Sequence, residues 1–68
     1  MRLRLEYWMS PFGRLMLATD EGGLLRALEF EDCRPRMSRL LREHYGVYAI
    51  EKGAAPAAIT GALDAYFN

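Results

Sequence analysis

The sequence predicts an α+β fold: a small antiparallel meander sheet, a further short strand and two helices. Three observations carry this. Residues 2–9 alternate with period two, as a half-buried strand does. Two short turns, Ser10-Pro11-Phe12-Gly13 and Asp20-Glu21-Gly22-Gly23, then separate apolar runs. From Met37 onward the apolar residues switch to the spacing of an amphipathic helix.

In the first strand Leu3, Leu5, Tyr7 and Met9 alternate with Arg2, Arg4, Glu6 and Trp8. Pro11 fixes φ near −65° and lacks a donor, which suits turn position i+1, and Gly13 can take a positive φ. The second strand starts at Arg14-Leu15-Met16-Leu17-Ala18-Thr19, and the third is Leu24-Leu25-Arg26-Ala27-Leu28-Glu29-Phe30. Three strands joined by two short turns make a meander, whose apolar face the later helices need to pack on.

Glu31-Asp32-Cys33-Arg34-Pro35 turns the chain into the first helix. Asp32 is expected as N-cap, because its carboxylate can accept from the unpaired amides of the first turn. Pro35 is tolerated only in that first turn. Met37, Leu40, Leu41, His44 and Tyr45 form the expected buried face, and Arg34, Arg36, Arg39, Arg42 and Glu43 fall mostly opposite. Gly46 ends the helix. Val47–Lys52 is a strand candidate, rich in β-branched and aromatic residues at its start. A second helix is expected from about Pro56, with Ile59, Ala62, Leu63, Tyr66 and Phe67 on one face and Gly61 weakening it by about 1 kcal/mol relative to alanine.

Length and composition restrict the function. Sixty-eight residues make one small domain or a piece of a larger protein, and a lone core of this size is marginal. The 51% hydrophobic content overstates that core, because nine of those residues are alanine. A single cysteine excludes an internal disulfide, and no Cys/His cluster has metal-ligand spacing. Net charge is zero, which argues against the chain gripping nucleic acid alone. Eight of the nine basic residues are arginine, which a coding bias explains as well as a function does. No long apolar stretch follows Met1, so neither a signal peptide nor a membrane span is expected, and the cytoplasm is the default location.

Few residues invite a chemical role. Cys33 stands at a helix N-terminus, where a thiol can become a nucleophile. Its only possible histidine base, His44, lies on the same helix about 16 Å away at ~1.5 Å per residue, so the two form no dyad. His44 is expected to pack at the core boundary. Asp20 and Glu21 beside Gly22 and Gly23 are turn composition, with no Walker lysine to make a phosphate loop. Trp8, on the polar face, is expected to contact a neighbouring domain rather than stack a base. Residue chemistry alone supplies no catalytic, cofactor-binding or metal-binding residue.

The order of these elements is similar to that of a known family. A strand enters Ser10-Pro11-Phe12-Gly13; a strand, Gly22-Gly23-Leu24 and a further strand follow. An amphipathic helix carries Leu40-Leu41 and His44-Tyr45, and the end reads Leu63-Asp64-Ala65-Tyr66-Phe67. This resembles the N-terminal domain of the methylated-DNA-protein-cysteine methyltransferases, over essentially the whole chain. The resemblance implies a ribonuclease-H-like sheet and a suicide repair protein. In that family an alkyl group on guanine oxygen-6 or thymine oxygen-4 passes to a cysteine after the damaged nucleotide flips out.

The family's acceptor lies in a Pro-Cys-His-Arg segment of a C-terminal domain that also carries the DNA-binding helix-turn-helix. Cys33 stands in no such segment and inherits no acceptor role. The zinc-binding residues of some members are not matched either. The resemblance thus implies a non-catalytic domain spanning 1–68 with no cofactor. Its partner would be the C-terminal catalytic domain of the same protein, and alkylated duplex DNA would be reached through that domain only. The reading frame is expected to continue past Asn68 for roughly 80–120 codons, one more small domain. The rival classes are a free-standing protein-interaction module and, less well matched by the charge, a nucleic-acid binder using the arginines of the first helix.

Overall fold

The computed structural model describes residues 1–67. Strands β1 (Arg2–Ser10), β2 (Gly13–Asp20) and β3 (Leu25–Phe30) form the expected meander. Helix α1 (Arg34–Tyr45) leads to β4 (Ala49–Lys52), and α2 (Ala57–Phe67) closes the described chain. The sheet order is β3-β2-β1-β4, with β4 running parallel to β1 and the other pairs antiparallel. The mixed sheet with two helices is the predicted α+β class.

The first turn forms for the predicted reason. Ser10 pairs with Gly13, leaving Pro11 and Phe12 as the two-residue loop. Gly13 has φ 137°, a value costly for any residue with a Cβ. The Ser10 hydroxyl donates to the Gly13 carbonyl at 2.7 Å and accepts from Phe12 N at 3.1 Å, so the buried serine fastens the loop from inside. In the second turn the Asp20 carboxylate accepts from Leu24 N at 3.0 Å while the Asp20 carbonyl accepts from Gly23 N.

The core lies between the sheet and α1. Leu3, Met16 and Ala18 meet Met37 and Leu41, with Leu5, Tyr7 and Tyr45 packed around them. The expected helix face is narrower than its sequence pattern. Met37 and Leu41 are buried and Tyr45 is half-buried, but Leu40 and His44 are exposed. They lie at the margin of the apolar stripe, beyond the width of sheet beneath it. The helix start also differs. A 3-10 turn, Glu31–Cys33, precedes α1, and Cys33 rather than Asp32 is the N-cap. Pro35 stands in the first turn as expected. Gly46, at φ 69°, donates its N–H to the Arg42 carbonyl and ends the helix.

Strand β4 begins at Ala49, two residues later than the pattern suggested, and Val47 is exposed. Ala49 N donates to the Met1 carbonyl and Gly53 N to the Leu5 carbonyl, fixing both ends of the parallel pairing.

The two helices cover opposite faces, not one shared apolar face. Pairing puts Trp8 opposite Leu15, Glu6 opposite Leu17, and Leu28 opposite Leu17 on the other side. Side chains alternate across a sheet, so these residues face away from the α1 core. This is the face that α2 crosses, with Phe67 and Trp8 ring centroids 5.7 Å apart. Every residue from Leu15 to Thr19 is accordingly buried, as in a strand covered on both sides.

Candidate functional site

Among the described residues an apolar groove of about 580 Å³ lies between β3 and α2. Its origin is local. Strand β3 is an edge strand, and α2 crosses the sheet without any of its described residues becoming fully buried. Leu25, Leu28 and Phe30 on β3 and Ile59, Ala62 and Leu63 on α2 form its walls. The Glu6 carboxylate sets the helix in place by accepting from Ala55 N at 2.5 Å across the sheet face. A polar residue beneath a helix is thereby satisfied, which its place in the period-two pattern did not disclose.

At one end the groove runs into exposed aromatic side chains. Phe12, at the hairpin tip, and Tyr66, near the end of α2, are 78% and 81% exposed. Both approach Phe67, at centroid distances of 6.0 and 5.1 Å, the second edge-on. Trp8 is half-buried under the same helix end. Within the described chain Trp8 packs against Phe67 of α2.

The opposite side of the molecule is charged. Arg36 makes two hydrogen bonds to Glu29, at 3.0 and 2.9 Å, and Arg14 pairs with Glu31 while stacking over Tyr7. Arg26 reaches Asp20 at 2.7 Å and lies over Tyr45. The Arg36 hydrogen bonds hold the Glu29 carboxyl below its ordinary range, against a smaller opposing effect of burial. Asp20 is also held below its ordinary value, first by the Leu24 amide and then by Arg26. These carboxylates are ion-pair and turn elements.

The candidate chemical residues stay apart. Cys33 is partly exposed at the N-cap of α1. His44 is exposed in the last turn of the same helix, beside Tyr45. Asp20, Glu21, Gly22 and Gly23 form the β2–β3 turn. Among the described residues no three His, Cys, Asp or Glu side chains could hold a metal ion. None of their helices is long and apolar enough to cross a membrane.

A four-stranded mixed sheet with a helix on each face and an apolar groove beside one of them defines a small α+β domain. Comparison with known proteins specifies which. The family described as 6-O-methylguanine DNA methyltransferase, ribonuclease-like domain, matches residues 3–68, and the chain belongs to that family. It is 38% identical over 69 residues to the methylated-DNA–protein-cysteine methyltransferases of Salmonella typhimurium and Salmonella typhi. The matches cover 98% of this chain but 40% of each relative, so the chain spans about two fifths of their length. It corresponds to their N-terminal part. No solved structure gives a significant match.

Proposed function

We propose that the chain is the non-catalytic N-terminal domain of a cytoplasmic DNA repair alkyltransferase. In the whole protein a cysteine thiolate of the C-terminal domain attacks the alkyl carbon on guanine oxygen-6 or thymine oxygen-4. A sulfur–carbon bond forms, the oxygen–carbon bond breaks, and its electron pair remains on the base. The present domain buries one face of the catalytic domain and holds the acceptor in place. It meets alkylated duplex DNA only through that domain and uses no cofactor.

The observation that carries this reading is the family match along nearly the whole chain, combined with the position of its single thiol. Cys33 is the N-cap of α1 and His44 lies in its last turn. A separation of roughly 16 Å along the helix leaves the thiol without that histidine as base. Zero net charge also makes the chain a poor independent ligand for duplex phosphates.

The test uses a methylated-guanine duplex and intact-mass spectrometry. The 68-residue chain alone should gain no methyl group. A chimera in which it replaces the matched region of the Salmonella typhimurium protein should gain one, on the Salmonella-derived part. A stoichiometric methyl on Cys33 would overturn the reading. So would a folded chimera that accepts none, and the interaction module would then be the better account.

A further inference from the structure

We infer that β3 is a self-association edge: two copies of this chain pair their β3 strands antiparallel about a two-fold axis at Leu28. The sheet then runs continuously through both copies. This concerns the domain's own edge and does not depend on the alkyltransferase reading.

The backbone offers the pairing. Strand β3 is the last on its side of the sheet. Asp20 N donates to the Leu24 carbonyl at 3.0 Å, so the even-numbered residues of β2 direct their backbone bonds toward β3. Met16 and Ala18 accordingly bond Glu29 and Ala27, their partners in register, and Leu28 between them turns its N–H and C=O outward. Among the described residues no loop hydrogen bonds to the backbone of Leu28. Such an unpaired donor and acceptor on an edge is a template for another strand. The other edge is blunter. Strand β4 has four residues and ends in Glu51 and Lys52, whereas β3 has six and carries exposed leucines.

The side chains fit the same operation. A two-fold axis perpendicular to the sheet keeps each face continuous, so residues that meet across it must share a face. Leu25, Leu28 and Phe30 line the α2 side and are 40%, 44% and 38% exposed. Arg26 lies over Tyr45 of α1 and Glu29 bonds Arg36 of α1, so both point to the α1 side. Arg26 shares that side with Ala27 because the pairing is irregular here: Ala18 meets Ala27 but Thr19 meets Leu25, leaving Arg26 as the extra residue of a bulge.

With Leu28 on the axis, the α2 side brings Leu28 against Leu28 of the second copy and Phe30 alongside its Leu25. On the α1 side Glu29 falls opposite Ala27 of the second copy, beside its Arg26. The ion pairs Arg36–Glu29 and Arg26–Asp20 then join into one row of alternating charge. Apolar residues meet apolar ones and no like charges are opposed. The strand is complementary to itself when reversed, which is why the occupant is a second copy. A chain of zero net charge adds no long-range repulsion to the encounter.

The test is a dilution series of the 68-residue chain by sedimentation velocity, with hydrogen exchange measured at both ends of the series. The dimer should dissociate on dilution, and the Leu28 amide should exchange about tenfold more slowly in the concentrated sample. Leu28→Lys places two ammonium groups on the axis and should weaken the dimer by about tenfold or more, while the dilute variant keeps the circular dichroism of the folded chain. Arg26→Glu and Glu29→Arg each set like charges across the axis and should each associate poorly. Mixed in equal amounts they should associate again, because each variant supplies the charge that the other lacks. A chain that stays monomeric up to roughly 1 mM would overturn the inference. So would a dimer that Leu28→Lys leaves unchanged, or a mixture of the folded charge variants no tighter than either alone. Protection of the Leu28 amide in the Salmonella chimera at every concentration would assign the edge to the catalytic portion and overturn it as well.

Discussion

Replacing Leu41 by alanine tests the packing on which the rest of the domain depends. Leu41 is 3% exposed and packs with Leu3, Met16, Ala18 and Met37, whereas its neighbour Leu40 is 41% exposed. Leucine-to-alanine changes in cores cost about 2–5 kcal/mol, the transfer of the lost methyls plus the cavity left behind. Folded domains hold roughly 0.05–0.15 kcal/mol per residue, about 3–10 kcal/mol for a chain of this length. A loss of about 3 kcal/mol is therefore a large share of the total. With a urea slope near 1 kcal/mol/M it moves the midpoint by about 3 M. In thermal terms, at about 4–8 °C per kcal/mol for small domains, melting falls by roughly 12–24 °C. Leu40→Ala should cost under about 1 kcal/mol. Urea titrations followed by circular dichroism on the two variants measure the difference. Equal midpoints would show that the helix does not present Leu41 to the sheet and would refute the assignment of the core.

Two further outcomes follow from the polar contacts. Glu6→Ala removes the acceptor of Ala55 N, a charge-assisted bond of about 1.5–3 kcal/mol, and should speed amide exchange throughout α2 while leaving α1 unchanged; unchanged α2 exchange would show that Glu6 does not seat the helix. Asp20 and Glu29 have folded-state pKa values below their ordinary ones, so the stability they contribute is complete above the unfolded carboxylate range. It is lost as pH falls through the lower folded values. The melting temperature should thus drop below about pH 4, and Asp20→Asn combined with Glu29→Gln should flatten that limb; an unflattened limb would place the acid sensitivity elsewhere.

The meander was legible because everything that specifies it is local. Alternation in residues 2–9, the proline and glycine of the first turn and the two glycines of the second all act within a few residues. The amphipathic spacing likewise located α1. It could not give the width of the buried stripe, which depends on the sheet beneath and leaves Leu40 and His44 outside. The N-cap moved from Asp32 to Cys33 because a 3-10 turn was inserted, and Asp32 and Cys33 sit within one turn of each other in sequence.

The second covered face was hidden by its polar spelling. Glu6 is satisfied by a backbone amide from a distant loop, and the Arg4 stem lies against Gly53 while its charged end reaches solvent. One signal was present: the unbroken run from Leu15 to Ala18 fits a strand covered on both sides better than a half-exposed one. The groove is legible only in part. Its α2 residues were named by their spacing, but its other wall depends on β3 being an edge, which no local pattern reveals.

The parallel partnership of β1 and β4 has a consequence for how the chain acquires its structure. Strand β1 finds β2 across a two-residue loop, yet Leu3 meets Ile50 only after most of the chain has been made. Closing so long a segment is entropically slow, and contacts of high sequence separation retard folding. The hairpins can therefore assemble while β4 is still unplaced, and its arrival is the late step that ties down the N-terminal strand. In pulse-labelled refolding, the amides of Ala49 and Gly53 should gain protection after those of β2. Simultaneous protection would mean that the sheet condenses as one unit instead of being completed from its far edge.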